Sequence, residues 1–299
     1  MLFRSIGLRL LTWVGKAGER RTLRQPAAQY LHLSLAPDDR RAALTIADEE
    51  GSDLWIADLG GEGGLRRLTF DRESGWGIWA PDGRTLIHAR MAGRTTRLIT
   101  RPVDGAGEEE LLSTAGLSLP LGVAGSGSAL LIGSFDEGAG GMGLWLHDLD
   151  RREDPRRVVA ATEHPKAAAL SPDGRWLAYE ALSGGRSEVF LRSLDEGGQK
   201  HQLTFGGGTQ PRWSPSGESL YYRRDRQLFA LGWPPDGGFD GRAGERIADL
   251  GAAIEYVPMA TGGRFLTTEP LPGEPASQRI ELILGWSPEA PLEVAAGAP

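Results

Sequence analysis

The chain has 299 residues, 40% hydrophobic and 24% charged, so it can bury a core and lacks the composition that stays disordered. It contains no cysteine, which excludes disulfides, thiolate nucleophiles, Cys-ligated zinc and iron–sulfur clusters. It also has no asparagine, only three lysines, and a net charge of −7 with the signs interleaved, which leaves no basic stripe for a phosphate backbone and makes nucleic acid an unexpected partner.

Met1–Val14 begins like a weak export signal, but Arg9 splits its apolar run and no clean small-residue cleavage site follows. Leu11-Thr12-Trp13-Val14 and Arg20-Arg21-Thr22-Leu23 read instead as strands. Ala36-Pro37-Asp38-Asp39-Arg40 then opens a series of tight turns. It is followed by Ala80-Pro81-Asp82-Gly83-Arg84, a worn copy at Ala124-Gly125-Ser126-Gly127-Ser128, then Ser171-Pro172-Asp173-Gly174-Arg175, Ser214-Pro215-Ser216-Gly217-Glu218 and a second worn copy at Ala260-Thr261-Gly262-Gly263-Arg264. Proline pre-sets φ, aspartate bonds the backbone ahead and glycine accepts a positive φ, so each turn joins two strands of a hairpin.

The proline-equivalent positions are read as 37, 81, 125, 172, 215 and 261, at intervals of 44, 44, 47, 43 and 46. A third strand recurs behind each turn, as in Asp53–Leu59, Arg97–Arg101, Gly143–Leu149, Glu188–Leu194 and Gln227–Leu231. A fourth follows in some units, as Leu65–Phe70 and His201–Phe205. Four antiparallel strands per unit at this period is the arithmetic of a propeller blade. The expectation is an all-β, six-bladed β-propeller spanning 1–299 as one domain, with 287–299 a C-terminal tail. Leu11–Val14 at one end and Arg279–Trp286 at the other are expected to complete the sixth blade between them. No window approaches the roughly 18 consecutive apolar residues of a spanning helix, so membrane insertion by this chain is not expected.

These repeats resemble the TolB-type six-bladed propeller, whose blades carry a Ser-Pro-Asp-Gly-Lys/Arg turn and a following Ile/Leu-Trp/Tyr strand. Within that group the chain is most similar to the C-terminal propellers of bacterial serine/threonine protein kinases, at Leu11–Glu19, Gly208–Pro215 and Leu284-Gly285-Trp286. The resemblance implies a bacterial protein/peptide-binding or sensory docking module without a cofactor, monomeric, and extracytoplasmic if it belongs to a membrane-anchored kinase. The chain departs from the kinases in lacking every kinase motif, and from TolB in lacking the α/β domain that precedes its propeller.

Chemistry-bearing motifs are few. Gly138-Ala139-Gly140-Gly141-Met142-Gly143 matches Gly-x-Gly-x-x-Gly but runs straight into a strand, so it reads as a hairpin loop and not a dinucleotide cradle. Gly116-Leu117-Ser118-Leu119-Pro120 fails as a nucleophile elbow. The five histidines show no metal-ligand spacing. Six-bladed lactonases are similar in architecture, yet the calcium site associated with them uses asparagine. Trp55, Trp145 and Trp213 are read as equivalent strand residues that pack between blades.

The candidate binding residues lie where innermost strands begin, at the mouth of a central channel. Five residues before each proline position stand His32, Trp76, Gln210 and Tyr256, and one residue earlier Lys166 and Glu255; Glu163 and His164 lie just upstream in the fourth unit. This mixed ring suits a protein or peptide ligand, and no catalytic or metal-binding residue is assigned. A second reading, an accessory propeller of a prolyl oligopeptidase-type peptidase or a lactonase-like hydrolase, would need Glu73, Glu163 and His164 to converge in the channel.

Overall fold

The computed structural model describes residues 2–3, 7–60, 64–104, 107–136, 138–151, 153–195, 198–233, 243–272 and 282–283. Its strands, in chain order, are β1 (Leu2–Phe3), β2 (Arg9–Gly15), β3 (Arg20–Thr22), then β4 (Gln29–Leu35), β5 (Arg41–Asp48), β6 (Gly51–Asp58) and β7 (Leu65–Arg67). The next unit holds β8 (Ser74–Trp79), β9 (Thr85–Ala92), β10 (Thr95–Pro102) and β11 (Glu109–Ala115). There follow β12 (Ser118–Val123), β13 (Ala129–Asp136), β14 (Gly141–Asp148) and β15 (Arg156–Val159), with a single 3₁₀ turn at Ala161–Glu163. The remaining strands are β16 (Ala168–Leu170), β17 (Trp176–Ser183), β18 (Arg186–Ser193), β19 (Lys200–Gln202), β20 (Thr209–Trp213), β21 (Ser219–Arg224), β22 (Gln227–Gly232), β23 (Glu245–Asp249), β24 (Glu255–Pro258), β25 (Arg264–Pro270) and β26 (Leu282–Ile283).

Each of six four-stranded antiparallel sheets is one blade, and five of them follow chain order. The sixth has the order β24-β25-β2-β3, so the two halves of the chain meet along the β2–β25 ladder, from Arg9↔Pro270 to Gly15↔Arg264. The innermost strands touch in the cycle β4, β8, β12, β16, β20, β24 and back to β4, which closes the ring. Closure thus uses both ends of the chain, as expected, with β24 and β25 in the place the sequence reading gave to Arg279–Trp286. Only Leu282–Ile283 of that segment is described, and it pairs with Leu2–Phe3 outside the blades; the tail 287–299 lies outside the described residues.

Every proline-type turn closes the same hairpin. The residue before the proline accepts from the turn's third residue and exchanges a longer bond across it, as in Gly83 N–H to the Ala80 carbonyl at 3.0 Å and Ala80 N–H to the Thr85 carbonyl at 2.9 Å. The third turn residue needs φ > 0, and Gly83, Gly174 and Gly217 supply it at 62°, 72° and 77°. Asp39 occupies that slot in the first blade at φ 57°, and its carboxylate accepts the backbone N–H groups of Ala260 and Thr261 at 2.8 and 3.0 Å. In the sixth blade the same bonds run from Gly262 to Met259 and from Met259 to Arg264, so the proline-equivalent residue is Ala260, one earlier than the sequence register of 261. The worn turn offers two glycines, Gly262 and Gly263, and the motif alone does not say which one fills the positive-φ slot.

The core is divided. One apolar cluster fills each interface between neighbouring blades, so stability is built from six nearest-neighbour contacts instead of one central core. Trp213 packs with Trp233 and Leu220 between the fourth and fifth blades, while Trp55 and Trp145 also pack between blades. The three are not equivalent, however: Trp55 and Trp145 lie on third strands and Trp213 on an innermost strand, where its counterpart is Trp79.

The fourth strands are shorter than the apolar runs suggest, because a threonine ends them. Thr69 donates to the Asp53 carboxylate at 2.8 Å and accepts the Leu54 N–H at 2.9 Å. Three blades on, Thr204 donates to Glu188 and accepts the Val189 N–H at 2.9 Å. The chain then leaves the sheet and turns Phe70 and Phe205 to solvent, 73% and 78% exposed. Removing the Thr204 hydroxyl in Thr204→Val orphans the Val189 N–H and one oxygen of the buried Glu188 carboxylate, at a cost of about 1–3 kcal/mol. Urea unfolding of Thr204→Val against Thr204→Ser will read this, with the serine variant keeping most of the stability.

Candidate functional site

The six innermost strands enclose a channel with a cavity of ≈ 380 Å³, lined by all six blades. Three residues before each proline position its wall carries Ser34, Ile78, Gly122, Ala169, Arg212 and Val257, so Arg212 is the one charge in an otherwise neutral ring. At one end the proline turns crowd together, and the Gly125 N–H reaches the Pro172 carbonyl at 2.7 Å. The other end, where the innermost strands begin, is the mouth.

Bulges shape the mouth. The innermost strands of four blades slip register between Tyr30 and His32, Gly75 and Ile78, Pro120 and Gly122, and Thr209 and Arg212. A bulge frees a backbone N–H and re-aims a side chain. Trp76 and Gln210 sit in these bulges at φ 49° and 51°, and the preceding blade caps their N–H groups. Thr45 Oγ1 accepts from Trp76 at 2.8 Å, and Glu180 Oε2 accepts from Gln210 at 3.1 Å. Thr45 and Glu180 are equivalent, each eight residues after its blade's proline. Arg223 holds the same position one blade on, donating to the Ala253 carbonyl at 2.7 Å and to Gln210 Oε1 at 3.3 Å.

The mouth has a polar arc. His32 Nδ1 lies 3.2 Å from Glu255 Oε1, and the same oxygen is 3.6 Å from an Arg212 Nη2, so three consecutive blades meet at one carboxylate. His32 Nε2 is buried with no hydrogen-bond partner among the described residues. Arg9, 2% exposed, stands behind them and donates to the Tyr30 carbonyl at 2.9 Å, while its Nε and Nη2 have no partner among the described residues. Burial lowers the Arg9 pKa, and the Glu255 charge works against that shift. Gln210 Nε2 donates to the Ile254 carbonyl at 2.9 Å, and Lys166, half exposed, donates to Ser187 at 3.1 Å with Glu180 Oε1 3.9 Å away. Trp76, Leu119 and Leu121 form an apolar arc opposite.

Six of the eight sequence-derived candidates therefore cluster around the mouth, and the register correction assigns their parts. Glu255, not Tyr256, is the counterpart of His32 and Gln210. Tyr256 is one residue deeper, 1% exposed, packed against Phe265 and donating to the Gln210 carbonyl at 2.7 Å; burial raises its pKa strongly. Glu163 and His164 lie elsewhere. Glu163 rests against the outer strands of the fourth blade, accepting from Tyr179 at 2.9 Å, Lys200 at 2.6 Å and Arg192 at 3.1 Å. Burial works to raise its pKa, but these three partners hold it below the usual glutamate range. His164 faces the Gly141 hairpin, and Glu73 borders a separate cleft between the first three blades, so the three do not converge. Arg9, Glu180, Arg212 and Arg223 were missed by the sequence reading. For Arg212 the signal is positional, a charged residue where the other five repeats carry a small or apolar one.

A ring of six four-stranded blades closed by both ends of the chain around a channel is a six-bladed β-propeller. Among solved structures the chain is similar to a candidate TolB from Agrobacterium tumefaciens, at 16% identity and a TM-score of 0.67 over 89% of this chain and 99% of that one. TolB from Acinetobacter baumannii matches at 14% identity and a TM-score of 0.59 over 89% of this chain, which spans 65% of that protein. An oligogalacturonate lyase in complex with manganese matches at 13% and 0.51, over 91% and 98%. The fold is thus the propeller of TolB-type proteins, shared with propellers of enzymes. No protein-family model and no curated protein matches the chain.

Proposed function

We propose that this propeller is a non-enzymatic binding module whose channel mouth takes an extended protein segment, an acidic group of that segment meeting Arg212. The observation that carries the reading is the convergence of His32, Glu255 and Arg212, from the first, sixth and fifth blades, in an apolar channel. Among the described residues Arg212 makes only a 3.5 Å bond to the Pro211 carbonyl and the 3.6 Å pair with Glu255, so its guanidinium has donors left for a carboxylate. A cavity of ≈ 380 Å³ falls within the range of ligand pockets, and a few placed polar groups on apolar walls are what orient a ligand. Likeness to enzyme propellers is a likeness of fold, and function is argued from the site. The hydrolase-accessory reading depended on Glu73 meeting Glu163 and His164, and Glu73 lines a cleft of the first three blades while Glu163 lies against the fourth.

The test is selection of a phage-displayed random peptide library on the immobilised protein, followed by calorimetry of the recovered peptides. Peptides with an acidic residue or a required free C-terminus are expected, with affinity lowered roughly tenfold or more by Arg212→Ala, the scale of a lost charge-assisted contact. Failure to enrich any sequence, or equal affinity for Arg212→Ala, overturns the reading. Turnover by the pure protein on ester, lactone or peptide substrates would favour the hydrolase alternative.

A further inference from the structure

A second cavity, ≈ 360 Å³, opens beside the mouth between the first, second and third blades. Its floor is apolar: Trp76, Ala89, Met91, Leu117 and Leu119. Its rim is charged and unbalanced. Arg72 is the rim's cation and is taken by Asp48, at 3.1 Å, and by Glu50. Nearby Asp71 is matched by Arg90 at 2.7 Å. Glu73 is exposed on the rim, and its carboxylate makes no ion pair among the described residues. Among the residues that line the cavity, Glu50 and Glu73 stand against Arg72, so the rim keeps an excess of one negative charge.

The Trp76 backbone adds a separate observation. A bulky residue at φ 49° is strained, and such strain persists only where the surroundings fix it. Here the fixing contacts are the Thr45 hydroxyl on the Trp76 N–H and the packing of Trp76 on Leu31 and Ala47. The bulge sets a Trp ring as one wall of the cavity, with the soft thioether of Met91 on another. An apolar slot ending in an unpaired carboxylate is complementary to an aliphatic stem that ends in a cation.

We propose that this cavity is a subsite for an arginine or lysine side chain of the bound segment, its stem against Trp76 and Met91 and its head on Glu73. The proposal rests on the reading of this face as peptide-binding only for the ligand being a peptide; the chemistry of the slot is independent of Arg212. Together the two sites would select a segment with an acidic group in the channel and a basic group beside it.

The test uses full-length protein labelled with 5-fluorotryptophan, the Trp76 resonance being identified by its loss in Trp76→Phe. The probes are Nα-acetyl-arginine methylamide and its uncharged analogue Nα-acetyl-citrulline methylamide. The arginine probe is expected to shift the Trp76 resonance saturably, with affinity roughly fivefold weaker for citrulline and for Glu73→Gln, the scale of one exposed charge contact. Arg212→Ala should leave that titration unchanged. No saturable shift, or equal binding of the two probes, overturns the subsite. If selected peptides depend on Arg212 while Trp76 ignores the arginine probe, the subsite fails and the channel reading stands. If Trp76 responds as expected while no peptide is selected, the subsite is supported and the channel reading fails.

Discussion

Removing residues 1–24 will abolish cooperative unfolding of the entire ring, not of one blade. Those residues supply β2 and β3, half of the sixth sheet. Their loss strips the whole β2–β25 ladder and exposes β25 as an unpaired edge. It also empties two interfaces: Leu11 and Trp13 belong to the cluster against the first blade, and Val14 to the cluster against the fifth. At about 1.5–3 kcal/mol for each large buried side chain, the loss rivals the 5–15 kcal/mol that holds a typical protein folded. Near-UV circular dichroism and gel filtration of the truncated chain should show expanded or aggregated material without a sharp thermal transition. A single transition with a denaturant slope close to that of the full chain would contradict this account of closure.

Mild acid should weaken the protein through one buried histidine. His88, on β9, is fully buried, and its Nε2 has no hydrogen-bond partner among the described residues. Burial is the main cause of a pKa lowered to about 4; Arg90 adds to the shift, while the Ala89 carbonyl, Glu108 and Asp71 oppose it. Because the folded value lies below the ordinary 6.5, the unfolded chain takes up the proton first as pH falls, so stability is complete above pH 6.5 and is lost progressively down to about pH 4. A difference of that size corresponds to about 3 kcal/mol once both states are protonated. Urea unfolding between pH 7 and pH 4 should show this slope in the natural chain and a much flatter line in His88→Gln. The carboxylates held low by their partners, Asp71, Glu108 and Glu163, act at lower pH, since their contribution is present above the unfolded carboxylate range and is lost as pH falls through their depressed values. An equal slope in the variant would assign the acid sensitivity elsewhere.

Much of the fold was legible because it is repeated local chemistry. Proline, aspartate and glycine at fixed offsets state a turn, and a recurring turn states a blade. Legibility ended where the local code became ambiguous or the partners became distant. At Gly262-Gly263 two residues could fill one slot, and the one-residue slip exchanged Glu255 with Tyr256 at the mouth. Arg212 looks like an ordinary strand residue until the ring shows five neutral neighbours at its level. Thr45 and Glu180 matter because a bulge in the next blade frees an N–H in front of them, and no spacing in the chain announces a bulge. Glu163 reads as a mouth candidate in the sequence because the three partners that tie it to the fourth blade lie 16 to 37 residues downstream on three different strands.

Asp39 bears on how such a ring can change its number of units. Elsewhere the contacts between turns are the Gly125 N–H on the Pro172 carbonyl, glycine against proline at Gly83 and Pro37 and at Gly217 and Pro172, and Arg41 on the Gly83 carbonyl at 2.7 Å, most of them contacts that a duplicated copy would reproduce. At the seam the first turn instead grips the backbone of the last through a carboxylate that its siblings replace with glycine. A unit copied into the interior of the gene meets familiar neighbours on both sides, whereas one added at the seam leaves this carboxylate facing a turn it was not shaped for. An added unit is therefore expected to be tolerated better in the interior of the ring than at the seam.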